Sequence, residues 1–288
     1  MCSVESKKYK FSKYELRSLQ LKSLDLVLKF KKFCDENNLK WFLCGGGCIG
    51  AVRHGGFIPW DDDLDVFMFR EDYEKLYSIS KKGNLNFYVI RTSEEVFSGQ
   101  TFISVTDKET TVIKKEQLGL NIPRGVSIDI FPLDASPSSK FKQNLQMMSA
   151  CLFCLYTARV VSKNNGFFAY IISRILLAIV PFDKLRFKLA SFFEKQMSKY
   201  DLNKCSFVKE LCAGPKYMTK LYSKKIFEKC EMKSFEGYDL PIPAGYDEYL
   251  KSAFGDYMSL PPQNERINSH DIVFIDLNNS SDKYKYRF

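Results

Sequence analysis

LCGGGCIGAVRHGGFIPWDDDLDV, residues 43–66, holds three consecutive glycines, an Arg-His pair and four aspartates ahead of an apolar run. The preceding WFLC, Trp41 to Cys44, reads as a short strand entering a glycine turn and then a helix start. After Pro59 the run LDVFMF, Leu64 to Phe69, reads as a second strand. Side chains alternate along a strand, so Asp63 and Asp65 share one face while Leu64 and Val66 turn into the core. Asp61 joins them if the extended backbone begins that early. Two carboxylates held about 7 Å apart along a strand repel each other and lose hydration, a cost that a divalent cation removes. Hard oxygen ligands suit Mg²⁺, with Mn²⁺ as the alternative ion. An acidic turn ahead of a strand is the plainer reading, but it leaves Gly45-Gly46-Gly47 without a purpose.

A third carboxylate comes from VSIDIFPLD, residues 126–134. Asp129 is a lone charge between Ile128 and Ile130, and it completes a three-acid cluster if its strand neighbours Leu64 to Phe69. Asp134, after Pro132, reads as a turn or helix-start residue. Gly45, Gly46 and Gly47 place free N–H groups and a helix dipole where phosphate oxygens can be received. G-K-[ST] is absent, and the glycine spacing is not that of a dinucleotide fingerprint. Among cations, Arg53 and Arg124 are the first candidates for holding phosphates, each beside a glycine-bearing motif; Lys114, Lys115 and His54 follow.

The rest of the chain divides in two. Phe11-Ser12-x-x-Glu15-Leu16 combines a capping box with a hydrophobic staple, so a helix begins at Ser12 and runs to Asn37-Asn38. A short helix over 71–79 and strands at 87–90, 100–105, 110–113 and 126–131 follow. The stretches 140–162, 167–179 and 182–200 are periodic and helix-forming, giving a mostly helical second half. Within it FFAYIISRILLAIV, residues 167–180, is the most membrane-like piece. Arg174 leaves no uninterrupted apolar run long enough to span, so the alternatives are a buried helix and a surface helix seated on a membrane or a partner. The expected organisation is one domain over 1–288: a sheet core over about 39–135, a helical region over about 139–258 and a polar tail over about 276–288.

Composition narrows the setting. The 288 residues are 45% hydrophobic, enough for a real core, and 43 Lys+Arg against 34 Asp+Glu leave a net charge of +9. That balance suits phosphate-bearing ligands or an anionic surface. Nucleic acid is not expected, because the lysines are dispersed and no nucleic-acid-binding signature appears. The nine cysteines follow no small-secreted-domain spacing, and MCSVESKKYKF lacks a signal peptide's apolar stretch, so a cytoplasmic setting is expected. Cys151-x-x-Cys154 has no partner pair at zinc spacing and reads as core packing.

Residues 43–66 resemble the signature of the LicD family, which includes the fukutin and fukutin-related proteins and has a nucleotidyltransferase fold. RGVSIDIFPLD (124–134) and YDEYLKSAFGDYMSLPP (246–262) agree with it. The resemblance implies an α+β fold: a small mixed β-sheet carrying metal carboxylates, flanked by helices. It maps the glycine pair onto Gly45-Gly46 and the metal-binding, catalytic acids onto Asp63, Asp65 and Asp129. Most members carry a hydroxylated residue where this chain has Gly47. His270, in NSHD, resembles a late family histidine near the active site. The implied reaction is metal-dependent transfer of a phospho-alcohol, phosphocholine foremost, from a CDP-alcohol donor to a sugar hydroxyl, releasing CMP. The implied acceptor is a cell-surface glycan or its lipid-linked precursor, met by a cytoplasmic protein at the inner face of the membrane, where peripheral contact is a further expectation. Alternatives are a nucleotidylyltransferase releasing pyrophosphate, with the same carboxylates, and a non-catalytic scaffold. Trp60, Tyr246, Tyr249 and Tyr257 are candidate pocket walls as much as core residues.

Overall fold

The computed structural model describes residues 9, 11–158, 166–268 and 270–284. The Leu64–Phe69 strand, β2, forms as its alternation requires: Leu64, Val66 and Met68 are buried, and Asp65 faces the other side. It pairs in parallel with β6 (Ser127–Ser136) and antiparallel with β1 (Phe42–Cys44). The first half of β6 pairs with β4 (Ile103–Asp107), which pairs with β3 (Phe87–Ile90), all antiparallel. The second half of β6 pairs with β7 (Phe207–Glu210), itself paired with β8 (Tyr222–Ser223). The result is a seven-stranded mixed sheet ordered β1-β2-β6-β4-β3, with β7 and β8 extending β6.

Helices cover this sheet. α1 (Lys13–Asn37) starts at the predicted capping box, where Ser12 Oγ accepts from the Glu15 N–H, and stops at Asn38 in the left-handed region at φ 52°. It buries Leu26, Val27 and Phe30 in the main core. α2 (Gly45–Arg53) follows β1 directly, and α3 (Arg70–Ser80) follows β2 directly. The strand β5 (Thr111–Lys114) pairs antiparallel with β11 (Ile272–Asp276) in a separate ribbon.

The helical second half begins as expected with α4 (Lys140–Ala158), α5 (Phe167–Ile179) and α6 (Asp183–Met197); the continuation expected to residue 162 lies outside the described residues. α4 and α6 pack together around a second apolar cluster that includes Phe153, Tyr156 and Met197. Beyond Met197 the chain returns to short strands that apolar runs do not reveal. β9 (Cys230–Phe235) and β10 (Tyr238–Pro243) form a hairpin, with α7 (Pro215–Met218), α8 (Lys225–Glu228) and α9 (Tyr246–Phe254) around them. β9 has mostly polar, exposed residues and only Phe235 buried, so its sequence carries little hydrophobic signal. The polar tail also packs: the Tyr284 hydroxyl donates to Asp276, and its ring lies 4.7 Å from that of Phe274.

Asp134 departs from its sequence reading as a turn residue. It lies inside β6, fully buried, and its two oxygens accept from Nε and Nη2 of Arg70, each at 2.7 Å. Pro132 does not end the strand: it pairs with Met68 of β2 on one side, and on the other it falls in the gap between the β4 pairing, which stops at Ile130, and the β7 pairing, which starts at Leu133. Arg70 also reaches Glu74 and Glu194, and Arg91 joins the same acids, so the charges form a closed network.

Candidate active site

Strand register assembles the site. Asp65 lies opposite Asp129 across the parallel β2–β6 pair, opposite Cys44 on β1, and Asp129 lies opposite Ser104 on β4. Residues in one register row share a face, so Cys44, Asp65, Asp129 and Ser104 form a line across four strands. The Ser104 hydroxyl donates to Asp129 Oδ1, and the Lys114 ammonium stands 3.8 Å from Asp129 Oδ2. Lys114 is itself buried; burial works against its charge, but Asp129 and Asp63 outweigh it and raise its pKa.

The glycine turn meets the acids at close range. Gly45 sits at φ +52°, a conformation natural to glycine, and its N–H donates to the hydroxyl of buried Tyr249 at 3.0 Å. A Cβ on Gly46 would lie 2.1 Å from Asp61 Oδ2, and one on Gly45 would lie 3.7 Å from Asp65 Oδ2. The N-terminus of α2 therefore faces two carboxylates. Gln20, buried on α1, donates to the carbonyls of Ile58 and Asp61 and fixes the loop that delivers the acids.

Crowding shows in the carboxyl groups. Burial pushes Asp61 up to about 8, with Asp63 and Asp62 adding to it. Asp65 is driven well above the usual carboxylate range by burial and then by Asp63 and Asp129; Asp63 is raised chiefly by burial. Asp62 behaves in the opposite way. Burial raises it, but the hydrogen bond and charge of His270 prevail and hold it low.

His270 arrives by way of the ribbon, two residues before Ile272, which pairs with Lys114. Its Nδ1 is 3.1 Å from Asp62 Oδ1 and its Nε2 is 3.6 Å from Asp63 Oδ2. Burial lowers the imidazole pKa, yet the Asp62 hydrogen bond and the charges of Asp63 and Asp62 raise it overall. Ligand atoms of Asp62, Asp63 and His270 lie within 4.8 Å of one another, an arrangement able to hold a metal ion. A cavity of about 20 Å³ is lined by Asp62, Asp63, Lys114 and His270. The donor set fits a divalent cation: Asp62 is held ionised, the buried Asp63 beside it would be relieved by a bound positive charge, and His270 offers a ring nitrogen.

The other sequence candidates fall elsewhere. Arg53 donates from Nη1 to the carbonyls of Tyr257 and Ser259, tying α2 to the loop after α9. Arg124 is buried and donates from Nη2 to the carbonyls of Gln117 and Leu120. His54 stands edge-on to Trp60, whose ring also carries the Arg266 guanidinium at 5.5 Å. Tyr257 is buried and donates to Asp247, while Lys233 lies over the Tyr246 ring. Gly47 packs between Leu43 and Leu64. Sequence reasoning missed Ser104, Gln20 and Asp62. Only Asp62 left a signal, as the middle residue of the DDD run.

Residues 38–153 match the family described as LicD/FKTN/FKRP, nucleotidyltransferase domain. The chain is 29% identical over 270 residues to the lipopolysaccharide cholinephosphotransferase LicD of Haemophilus influenzae, a match covering 90% of this chain and 97% of that protein. It is 31% identical over 121 residues to an uncharacterized protein of Rickettsia prowazekii, covering 35% of this chain and 44% of the relative. A shorter match, 47% over 34 residues, is to human ribitol 5-phosphate transferase FKRP, covering 12% of this chain and 7% of that protein. The matched span 38–153 contains both the glycine-led helix and the Asp65–Asp129 row, so the similarity to the LicD family falls on the residues that build the site.

Proposed function

We propose that the chain is a metal-dependent phosphotransferase that moves a phospho-alcohol, phosphocholine foremost, from a CDP-alcohol donor to a sugar hydroxyl, releasing CMP. The acceptor is a cell-surface glycan or its lipid-linked precursor. One observation carries the reading: Asp65 and Asp129 face each other across a parallel strand pair directly in front of the α2 N-terminus. The long match to a cholinephosphotransferase supports phosphocholine, and the match to a ribitol-phosphate transferase supports the wider class.

Asp63, Asp65 and Asp129 would hold Mg²⁺, and the Asp62–His270 pair beside them widens the choice to Mn²⁺ through an imidazole nitrogen. Such an ion supplies positive charge that neutralises the donor diphosphate. The remaining work belongs to the chain. The Gly46 and Gly47 N–H groups at the start of α2 receive phosphate oxygens, while that of Gly45 is held by Tyr249. Lys114 takes the cationic place assigned from sequence to Arg53 and Arg124, whose guanidinium groups donate to backbone carbonyls. Asp129, kept in position by Ser104 and Lys114, orients the acceptor hydroxyl and takes its proton. The hydroxyl oxygen attacks phosphorus in line, the bond to the CMP oxygen breaks, and CMP leaves with that electron pair.

The test is product analysis of purified protein with CDP-choline, CDP-ribitol, CDP-glycerol or CTP, with and without Mg²⁺ and a glycan acceptor. Mg²⁺-dependent CMP release from one CDP-alcohol is expected. Pyrophosphate release from CTP would replace this reading with nucleotidylyl transfer, and no metal-dependent release from any donor would remove it.

A further inference from the structure

The second apolar cluster leaves one of its own faces uncovered. α5 buries Leu177 toward that cluster, and Val180 just past its end is buried as well. Ile171, Ile172, Ile175 and Ile179 are exposed; Ile179 reaches 69%, and Phe182 at the corner between α5 and α6 reaches 72%. Ile172, Ile175 and Ile179 recur at helical spacing and form one stripe. A helix that is apolar on both sides is built to be covered on both sides.

Length excludes one kind of cover. Thirteen residues of helix are about 20 Å long, against roughly 30 Å for a bilayer's hydrocarbon core. Among the described residues no helix is long and apolar enough to cross a membrane. The cover must therefore lie along the surface of α5.

Charge separates the remaining covers. Arg174 on α5 and Lys184, two residues past Phe182, are exposed by the stripe, against an exposed Asp183, while Lys188 and Lys195 line a separate groove with Glu74 and Glu94. A two-fold contact with a second copy places the same patch on both sides, so these cations would confront one another. An anionic lipid surface attracts them while accepting the isoleucines and Phe182 among its acyl chains. Arg186 is turned inward instead, donating to the carbonyls of Leu177 and Val180, and thereby fixes the α5–α6 corner.

We propose that the exposed stripe of α5, with Phe182 at the α5–α6 corner, seats the protein on an anionic lipid surface. The helical cluster adjoins the catalytic row. Phe131, two residues beyond Asp129 and so on the same strand face, packs into that cluster with its ring 4.4 Å from that of Phe102. Seating the cluster on lipid brings the carboxylate face near anything anchored there; this last step alone rests on the lipid-linked acceptor proposed above.

The experiment is flotation of the full chain with vesicles of phosphatidylcholine alone, or mixed with phosphatidylglycerol. The protein is expected to float with the mixed vesicles at low salt, to be released at high salt, and to stay down with the neutral ones. Ile172→Ser/Ile175→Ser/Ile179→Ser and Arg174→Glu/Lys184→Glu should each lower the floated fraction about tenfold, with melting temperature unchanged because the residues are exposed. Wild-type protein that stays down with mixed vesicles overturns the proposal, as does flotation that the isoleucine variant leaves intact. A dimer in sedimentation that this variant dissolves also overturns it, since the cover is then a second copy. CMP release with a soluble acceptor is scored separately in the same preparations; its absence strikes the transferase reading and leaves the lipid result standing.

Discussion

Asp65 and Asp129 occupy the same level of two adjacent parallel strands, so two carboxylates that burial alone would keep apart are fixed side by side by backbone register. Asp129 has Ser104 and Lys114 to hold it, whereas Asp65 is crowded by like charges. The Asp65 carboxyl is driven well above its ordinary range by burial and by the charges of Asp63 and Asp129.

Neutralising either acid should therefore separate function from stability. Asp65→Asn and Asp129→Asn are each expected to lower phosphotransfer by about 100-fold or more if, as proposed, each acid is a metal ligand. The metal-free Asp65→Asn protein should melt at or above the wild-type temperature, since a buried repulsion has been relieved. Calorimetry with and without Mg²⁺ checks both parts: the wild type gains stability on adding the ion and the variants do not. A metal-free variant that melts well below wild type would show that Asp65 is held by structural bonds instead.

The Arg70–Asp134 pair makes the opposite prediction. Its carboxylate is fully buried and bound by both arms of a guanidinium, so removing it leaves buried Arg70 with only Glu74 and Glu194 to balance its charge. Asp134→Asn is expected to cost about 3–5 kcal/mol in urea unfolding. Replacing both residues by apolar ones of similar volume should cost less than the single change. Asp134 lies five residues along β6 from Asp129, about 17 Å, so activity of the folded fraction should stay near wild type. Equal losses from the single and double variants would refute a stranded-charge cost.

Glu210, at the end of β7, sets a pH dependence of stability. Burial pushes its carboxyl up to about 7, although its Oε1 accepts from the Cys212 and Ala213 N–H groups, which works in the other direction. The folded protein thus holds this proton more tightly than the unfolded chain does. Below about pH 4.3 both states are protonated and the group costs nothing. As pH rises to 7 the unfolded chain ionises freely and stability falls, by an amount on the order of 3 kcal/mol; above 7 the loss is constant. Glu210→Gln keeps an acceptor for both N–H groups and should flatten stability between those limits. Urea midpoints across pH 4 to 8 measure this, and an unchanged slope in the variant would discard the assignment.

How much of this was legible in sequence depends on how local each determinant is. The α1 start was readable because its capping box lies within four residues, and β2 because Leu64, Val66 and Met68 alternate with their neighbours. Asp129 stood out as a charge between two isoleucines, but its meeting with Asp65 depends on a crossover of more than fifty residues that periodicity does not encode. Arg53 and Arg124 look like phosphate ligands by proximity to glycines. Their guanidinium groups instead satisfy carbonyls of loops far away or poorly patterned, which no spacing rule predicts. Ser104 is an ordinary strand residue until register sets it beside Asp129.

His270 raises the remaining question of how it would serve a metal ion held by this group. It stands within 3.1 Å of Asp62 and 3.6 Å of Asp63, and its ring adds the one nitrogen to an otherwise all-oxygen group. A nitrogen ligand matters more to Mn²⁺ than to Mg²⁺, which prefers oxygen and its own waters. His270→Gln is therefore expected to weaken Mn²⁺ binding about tenfold while changing Mg²⁺ binding little. Titration calorimetry of both ions against wild type and variant reads this directly, without turnover. A matched loss for both ions would mean that His270 acts by holding Asp62 in its ionised, oriented state, since Asp62 owes its low pKa to that imidazole. Asp62→Asn removes a hard oxygen in either case and should weaken the two ions to similar extents, so the ion-selective loss in His270→Gln is what distinguishes a ligating imidazole.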